Sequence, residues 1–271
     1  MASAEERFAR TGRDGRAPAS RRFLAWCVHA YTALGLVAAA GMAVLIVQGG
    51  PSAFRGVFLL MVIATLVDST DGTLARAVRV KEVLPHFDGR QLDYLIDFLT
   101  YAALPILLLW RAEILPASQS LWLLAPLLAG AYWFCQVEAK TADGYFLGFP
   151  SYWNIVAFYL YAIHFHVAPL PSWLTIGLLL VLSVLTFVPS RYLYSVHRGK
   201  LNLLSNLLGA CWGVALLWIL LRLPSDGSDA DTLLSTSGDA WLAGIILLSL
   251  LFPAYYMAMS WLISWRGRTR T

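Results

Sequence analysis

Four aspartates, Asp68, Asp71, Asp93 and Asp97, lie in the stretch DSTDGTLARAVRVKEVLPHFDGRQLDYLID. Their spacing, three residues in the first pair and four in the second, puts each pair on one face of a helix. The flanking runs FRGVFLLMVIATLV and FLTYAALPILLLW are apolar, so both pairs fall at the ends of hydrophobic helices. Ionisable groups placed there are costly and normally face a cavity, a partner or a pathway. Two carboxylate pairs brought together repel unless cations hold them, and an all-oxygen donor set suits Mg²⁺ or Mn²⁺ and not zinc. Gly72 follows the second acid, Arg76 lies one turn on, and Gly89 precedes Asp93 by four residues. Glycine lets a ligand approach the backbone, and an arginine grips phosphate oxygens. Acids, glycines and arginine together describe a metal-bridged phosphate site. The plainer reading, with Asp68 and Asp71 capping a helix or pairing with Arg76 and Arg79 and the later acids merely opening the next helix, is disfavoured by that combination.

The elements that must carry these residues are membrane helices. Of 271 residues, 59% are hydrophobic and 13% charged, and the mean hydropathy is +0.64, too apolar for a soluble domain. Apolar runs long enough to cross a bilayer, about 20 helical residues, fall near residues 23–48, 57–77, 92–110, 121–138, 152–168, 173–190, 202–221 and 241–264. The expected fold is therefore an all-α polytopic membrane bundle of about eight transmembrane helices with both termini on one side. On that count 17 of the 20 basic residues share the side of the termini, and only Arg55, Arg111 and Arg222 lie opposite. Lysine and arginine favour the cytoplasmic side, which makes both termini, and the acidic pairs, cytoplasmic. The net charge of +4 then follows from topology and anionic headgroups and calls for no nucleic acid.

Residues 1–22 read as a basic cytoplasmic segment, 23–265 as one membrane domain and 266–271 as a basic tail. The first apolar run is too long for a signal peptide and is read as a retained helix. Cys27, Cys135 and Cys211 show neither disulfide nor zinc spacing and read as packing residues. His86, His164 and His166 read as structural.

At the acidic stretch the sequence resembles the CDP-alcohol phosphotransferase family, whose motif is D-x2-D-G-x2-A-R-x8-G-x3-D-x3-D. Asp68, Asp71, Gly72, Ala75, Arg76, Gly89, Asp93 and Asp97 fill its defined positions, but 12 residues, AVRVKEVLPHFD, stand between Arg76 and Gly89. That gap, with eight spans against a family core of six, looks like the bacterial phosphatidylcholine synthase branch. The resemblance implies an enzyme of the bacterial inner membrane, a CDP-diacylglycerol:choline phosphatidyltransferase that releases CMP at the cytoplasmic face and works as a homodimer. It implies that Asp68, Asp71, Asp93 and Asp97 hold Mn²⁺ or Mg²⁺, two ions, with Asp97 also the catalytic base. Gly72, Ala75, Arg76 and Gly89 would line the CDP and phosphate pocket.

Choline carries a methylated ammonium that aromatic faces recognise. Tyr101, at a four-residue step after Asp97, and Tyr152 and Trp153 at the start of the fifth span are the candidates. Arg191, Arg198 and Lys200 in the turn RYLYSVHRGK are candidates for lipid phosphate. The alternatives are an enzyme of the same family with glycerol 3-phosphate, serine or inositol phosphate as acceptor, and a divalent-cation transporter. A transporter would use the acids but not Gly72, Arg76 and Gly89.

Overall fold

The computed structural model describes residues 17–136, 145–193, 200–223 and 237–268. Helix α1 (Ala19–Gln48) and α2 (Pro51–Val78) form an antiparallel hairpin. The turn is set by Gly49 and Gly50, both with positive φ, and Pro51 then opens α2 with the φ its ring fixes. α1 buries Ala25, His29, Thr32, Gly35, Ala39, Met42 and Ile46, a stripe with helical period. Arg79 takes a left-handed conformation and ends α2.

The 12 residues of the long gap fold rather than loop out. A single helical turn, α3 (Val80–Val83), packs Val80, Val83 and Leu84 against Ala25 and Val28 of α1 in a small apolar core of its own. Asp88 then caps α4 (Gly89–Asp97), accepting from the Arg90 and Gln91 backbone N–H groups at 3.0 and 3.4 Å.

α4 runs through a π-helical segment (Phe98–Ala103) into α5 (Leu104–Arg111). Pro105 supplies the cause of the widened turn, since its nitrogen cannot donate to the preceding one. A 3₁₀ turn (Ala117–Leu123) leads into α6 (Leu124–Cys135). After β1 (Tyr145–Leu147) come α7 (Trp153–His166), α8 (Ser172–Phe187), β2 (Arg191–Leu193), α9 (Lys200–Arg222), α10 (Ser237–Ser249) and α11 (Leu251–Arg268).

Each expected apolar run is largely helical where it is described, and among the described residues five stretches, Ala19–Gln48, Pro51–Val78, Gly89–Arg111, Ser205–Arg222 and Ala240–Trp265, are long and apolar enough to cross a membrane. The chain is an all-α polytopic membrane protein. Arg55 donates to the Leu221 carbonyl at 2.8 Å beside Arg222, and the Arg111 guanidinium rests against Gly49 next to Arg55's helix. The three basic residues that the charge split sets apart therefore gather at one end of the bundle, away from the aspartates.

Three expectations change. The segment beginning at Arg191 is not simply a turn, because β1 and β2 pair antiparallel with Phe146 opposite Tyr192. Ser264 on α11 holds this ribbon by accepting from the Arg191 N–H at 2.6 Å and donating to its carbonyl at 3.0 Å. The last apolar run is broken at Leu250, where Pro253 leaves the Ser249 carbonyl without its helical donor. The cysteines are free thiols but exposed on the helix surface, not packed inside; an apolar solvent removes the need to bury them in protein. Residues 1–16, Lys140, Arg198, the acidic segment 224–236 and residues 269–271 lie outside the described residues, as does the Lys200 side chain.

Candidate active site

The two acidic pairs meet. α2 presents Asp68 and Asp71, α4 presents Asp93 and Asp97, and one cavity is lined by all four together with Ala64, Val67 and Ile96 and, from α1, Thr32 and Gly35. Carboxylate oxygens of Asp68, Asp71 and Asp93 lie within 4.8 Å of one another. That all-oxygen group is able to hold a metal ion, and its chemistry suits a hard divalent cation. The gap between these side chains is about 10 Å³, the room a single water or small ion needs.

Two neutral hydroxyls grip the first pair. Thr32 on α1 donates to Asp71 Oδ2 at 2.8 Å, with both residues buried. Tyr101 donates to Asp68 Oδ2 at 2.8 Å across the interface from the π segment. In an α-helix each four-residue step overshoots a full turn by about 40°, so Asp93, Asp97 and Tyr101 would drift around the axis; the wider π turn takes some of that drift back. Tyr101 is therefore brought to the site, at Asp68.

The close approach of α1 depends on Gly35. A Cβ there would lie 2.6 Å from Ile96 Cγ2, so any side chain would push α1 away from α4. Gly89 has a similar role nearer the loop, where a Cβ would lie 2.5 Å from His29 Cε1. The His29 ring, also packed on Phe87 with centroids 4.4 Å apart, takes up that space. Gly89 is outside the cavity lining, although it keeps its place four residues ahead of Asp93 in spite of the long gap. Gly72 and Ala75 follow Asp71 on α2, within about one turn of it, and the exposed Arg76 bends back to donate to Thr73 Oγ1 at 3.0 Å.

The other aromatic candidates lie apart from the carboxylates. Trp153 is 1% exposed and packs on Phe149, with centroids 5.4 Å apart. Tyr152 is half-buried, 6.2 Å from the ring of Tyr256. Arg191 is exposed on the ribbon, over the Tyr145 ring at 5.8 Å.

Sequence reasoning predicted α1 as a span but missed its part in the site. Gly35 and Ala39 stand four residues apart in its apolar run, a spacing of small residues that marks close helix contact in membranes, and that was the available signal for Gly35.

The chain matches no family model. It is 36% identical over 203 residues to the phosphatidylcholine synthase of Pseudomonas aeruginosa, covering 74% of this chain and 82% of that one. It is 34% identical over 210 residues to the phosphatidylcholine synthase of Legionella pneumophila, covering 74% and 79%. Against that of Bradyrhizobium diazoefficiens it is 34% identical over 200 residues, covering 73% and 72%. Such identity over most of both chains, with the acidic motif assembled into one site, places this chain in the phosphatidylcholine synthase family.

Proposed function

We propose that this chain makes phosphatidylcholine by joining choline to CDP-diacylglycerol with release of CMP, at the cytoplasmic face of a bacterial inner membrane. The observation that carries the proposal is the meeting of Asp68, Asp71 and Asp93 within 4.8 Å inside an apolar bundle, in a chain akin to phosphatidylcholine synthases.

Mg²⁺ or Mn²⁺ held by Asp68, Asp71, Asp93 and Asp97 would neutralise the charge on the donor's pyrophosphate, two ions being the expected number once the donor brings its own oxygens. Arg76, at the exposed end of this site, binds phosphate, and the small Gly72 and Ala75 leave room for the nucleotide beside it. Gly89 sets the close packing at the start of α4 on which this pocket depends. Asp97 accepts the proton of the choline hydroxyl as its oxygen attacks the phosphorus. The bond to CMP breaks as the new phosphodiester forms.

Choline is the acceptor that the kinship with phosphatidylcholine synthases supports, and its methylated ammonium suits an aromatic face. Tyr101, Tyr152 and Trp153 are the aromatic candidates for its ammonium; Trp153 is enclosed by protein, and Tyr101 touches a carboxylate, through its hydroxyl on Asp68. Arg191, with Arg198 and Lys200, meets lipid phosphate at the membrane surface. The topology that accompanies this reading has eight spans, a basic segment at 1–22, a membrane domain at 23–265, a basic tail at 266–271 and both termini in the cytoplasm, in a homodimer.

The test offers labelled choline, glycerol 3-phosphate, serine and inositol phosphate side by side to membranes containing this chain, with CDP-diacylglycerol and Mn²⁺. Labelled lipid and CMP are expected from choline alone. Incorporation of another alcohol in preference to choline overturns the acceptor, and cation uptake without CMP release overturns the enzyme.

A further inference from the structure

We propose that Thr32 and Tyr101 are positioning residues, which orient Asp71 and Asp68 for the divalent cation; the inference rests on the metal-site reading above. The molecule itself shows that Thr32 departs from the ordinary behaviour of a helical threonine. Thr65, Thr70, Thr100 and Thr186 each return their hydroxyl to the carbonyl four residues earlier in their own helix, the usual arrangement for threonine in apolar helices. Thr32 instead reaches across to α2 and donates to Asp71 at 2.8 Å, in a contact where the two residues are 7 and 6% exposed. Tyr101 crosses from the π segment to Asp68 in the same way.

In each of these carboxylates one oxygen is fixed by a neutral donor. A lysine or arginine in that place would cancel the negative charge that attracts the cation. A hydroxyl restrains the carboxylate while leaving its charge in place, as the outer partners of metal ligands commonly do. This gives Tyr101 a role other than choline recognition, through its hydroxyl and not its ring face.

The purified protein in detergent, without either substrate, is titrated with Mn²⁺ and the free ion is read by electron paramagnetic resonance. Thr32→Val and Tyr101→Phe are expected to weaken Mn²⁺ binding about 10- to 100-fold, while Thr32→Ser, which restores a hydroxyl, binds close to wild type. At saturating Mn²⁺ the choline KM of Tyr101→Phe is expected to be unchanged. Thermal unfolding of each variant in the absence of metal identifies any that misfold, and the Thr32→Val and Thr32→Ser pair then decides. Normal Mn²⁺ binding by both hydroxyl-deleted variants, with binding lost in Asp71→Asn, overturns the positioning role and leaves the metal site standing. A raised choline KM with normal Mn²⁺ binding in Tyr101→Phe returns that residue to the acceptor. Wild-type protein that binds no Mn²⁺ overturns the metal site and this inference together.

Discussion

The first three long spans and the last two use the same apolar alphabet for different ends. In their most apolar windows, the three N-terminal spans bury 33, 33 and 44% of their residues within the protein, and the two C-terminal spans 11% each. A helix that faces lipid needs only to be apolar, because the solvent accepts many side chains equally. A helix that faces its neighbours must also match them in shape, and α1, α2 and α4 do so at contacts as close as Gly35 on Ile96. The chemistry sits where register is fixed by packing, and the outward helices are released from that demand.

The largest effect expected from breaking this contrast is chemical. Asp97→Asn keeps the shape of the inner unit and removes its proton acceptor, so choline incorporation should fall about 10²- to 10⁴-fold while labelled CDP-diacylglycerol still binds; normal product formation would remove Asp97 from the base role. A smaller loss follows from Gly35→Leu, which forces α1 off α4 and should cost about 1–3 kcal/mol of stability, seen as a lower unfolding temperature in detergent together with reduced incorporation. Unchanged unfolding and activity would mean that the crossing is looser than its geometry. The smallest effect belongs to the outer unit. Val214, 69% exposed on α9, should tolerate Val214→Ala within about 0.5 kcal/mol, and a large loss of unfolding temperature or activity would erase the distinction between the two groups of spans.

Much of the inner unit was legible in the sequence, because carboxylates in apolar runs are rare enough to carry a signal by themselves. The pairing of Asp68 with Asp71 and of Asp93 with Asp97 followed from helical spacing, and the helices around them followed from hydropathy. Thr32 gave no such signal, and the small-residue spacing of Gly35 and Ala39 does not say which helix comes close, since a hydroxyl and a missing side chain differ little from their apolar surroundings until a partner helix is placed against them. The long gap read as a mark of the family branch, but its work in packing α3 on α1 depends on a long-range contact that periodicity over four residues does not reveal. The ribbon of Tyr145–Leu147 with Arg191–Leu193 joins segments more than forty residues apart, which places it beyond local reading. The break at Leu250 had a local signal in Pro253, which reading 241–264 as one run passed over.

The hydroxyl donors and the carboxylates they serve all lie between Thr32 and Tyr101, and the spans that carry them end at Arg111. This locality has a consequence for synthesis. Sequence-near contacts close early and at low entropic cost, and chains fold from the N-terminus as they emerge. The acidic cluster is thus able to assemble while the later helices are still being translated, with its mutually repelling charges restrained by hydroxyls from the first moment that α1, α2 and α4 come together in the bilayer.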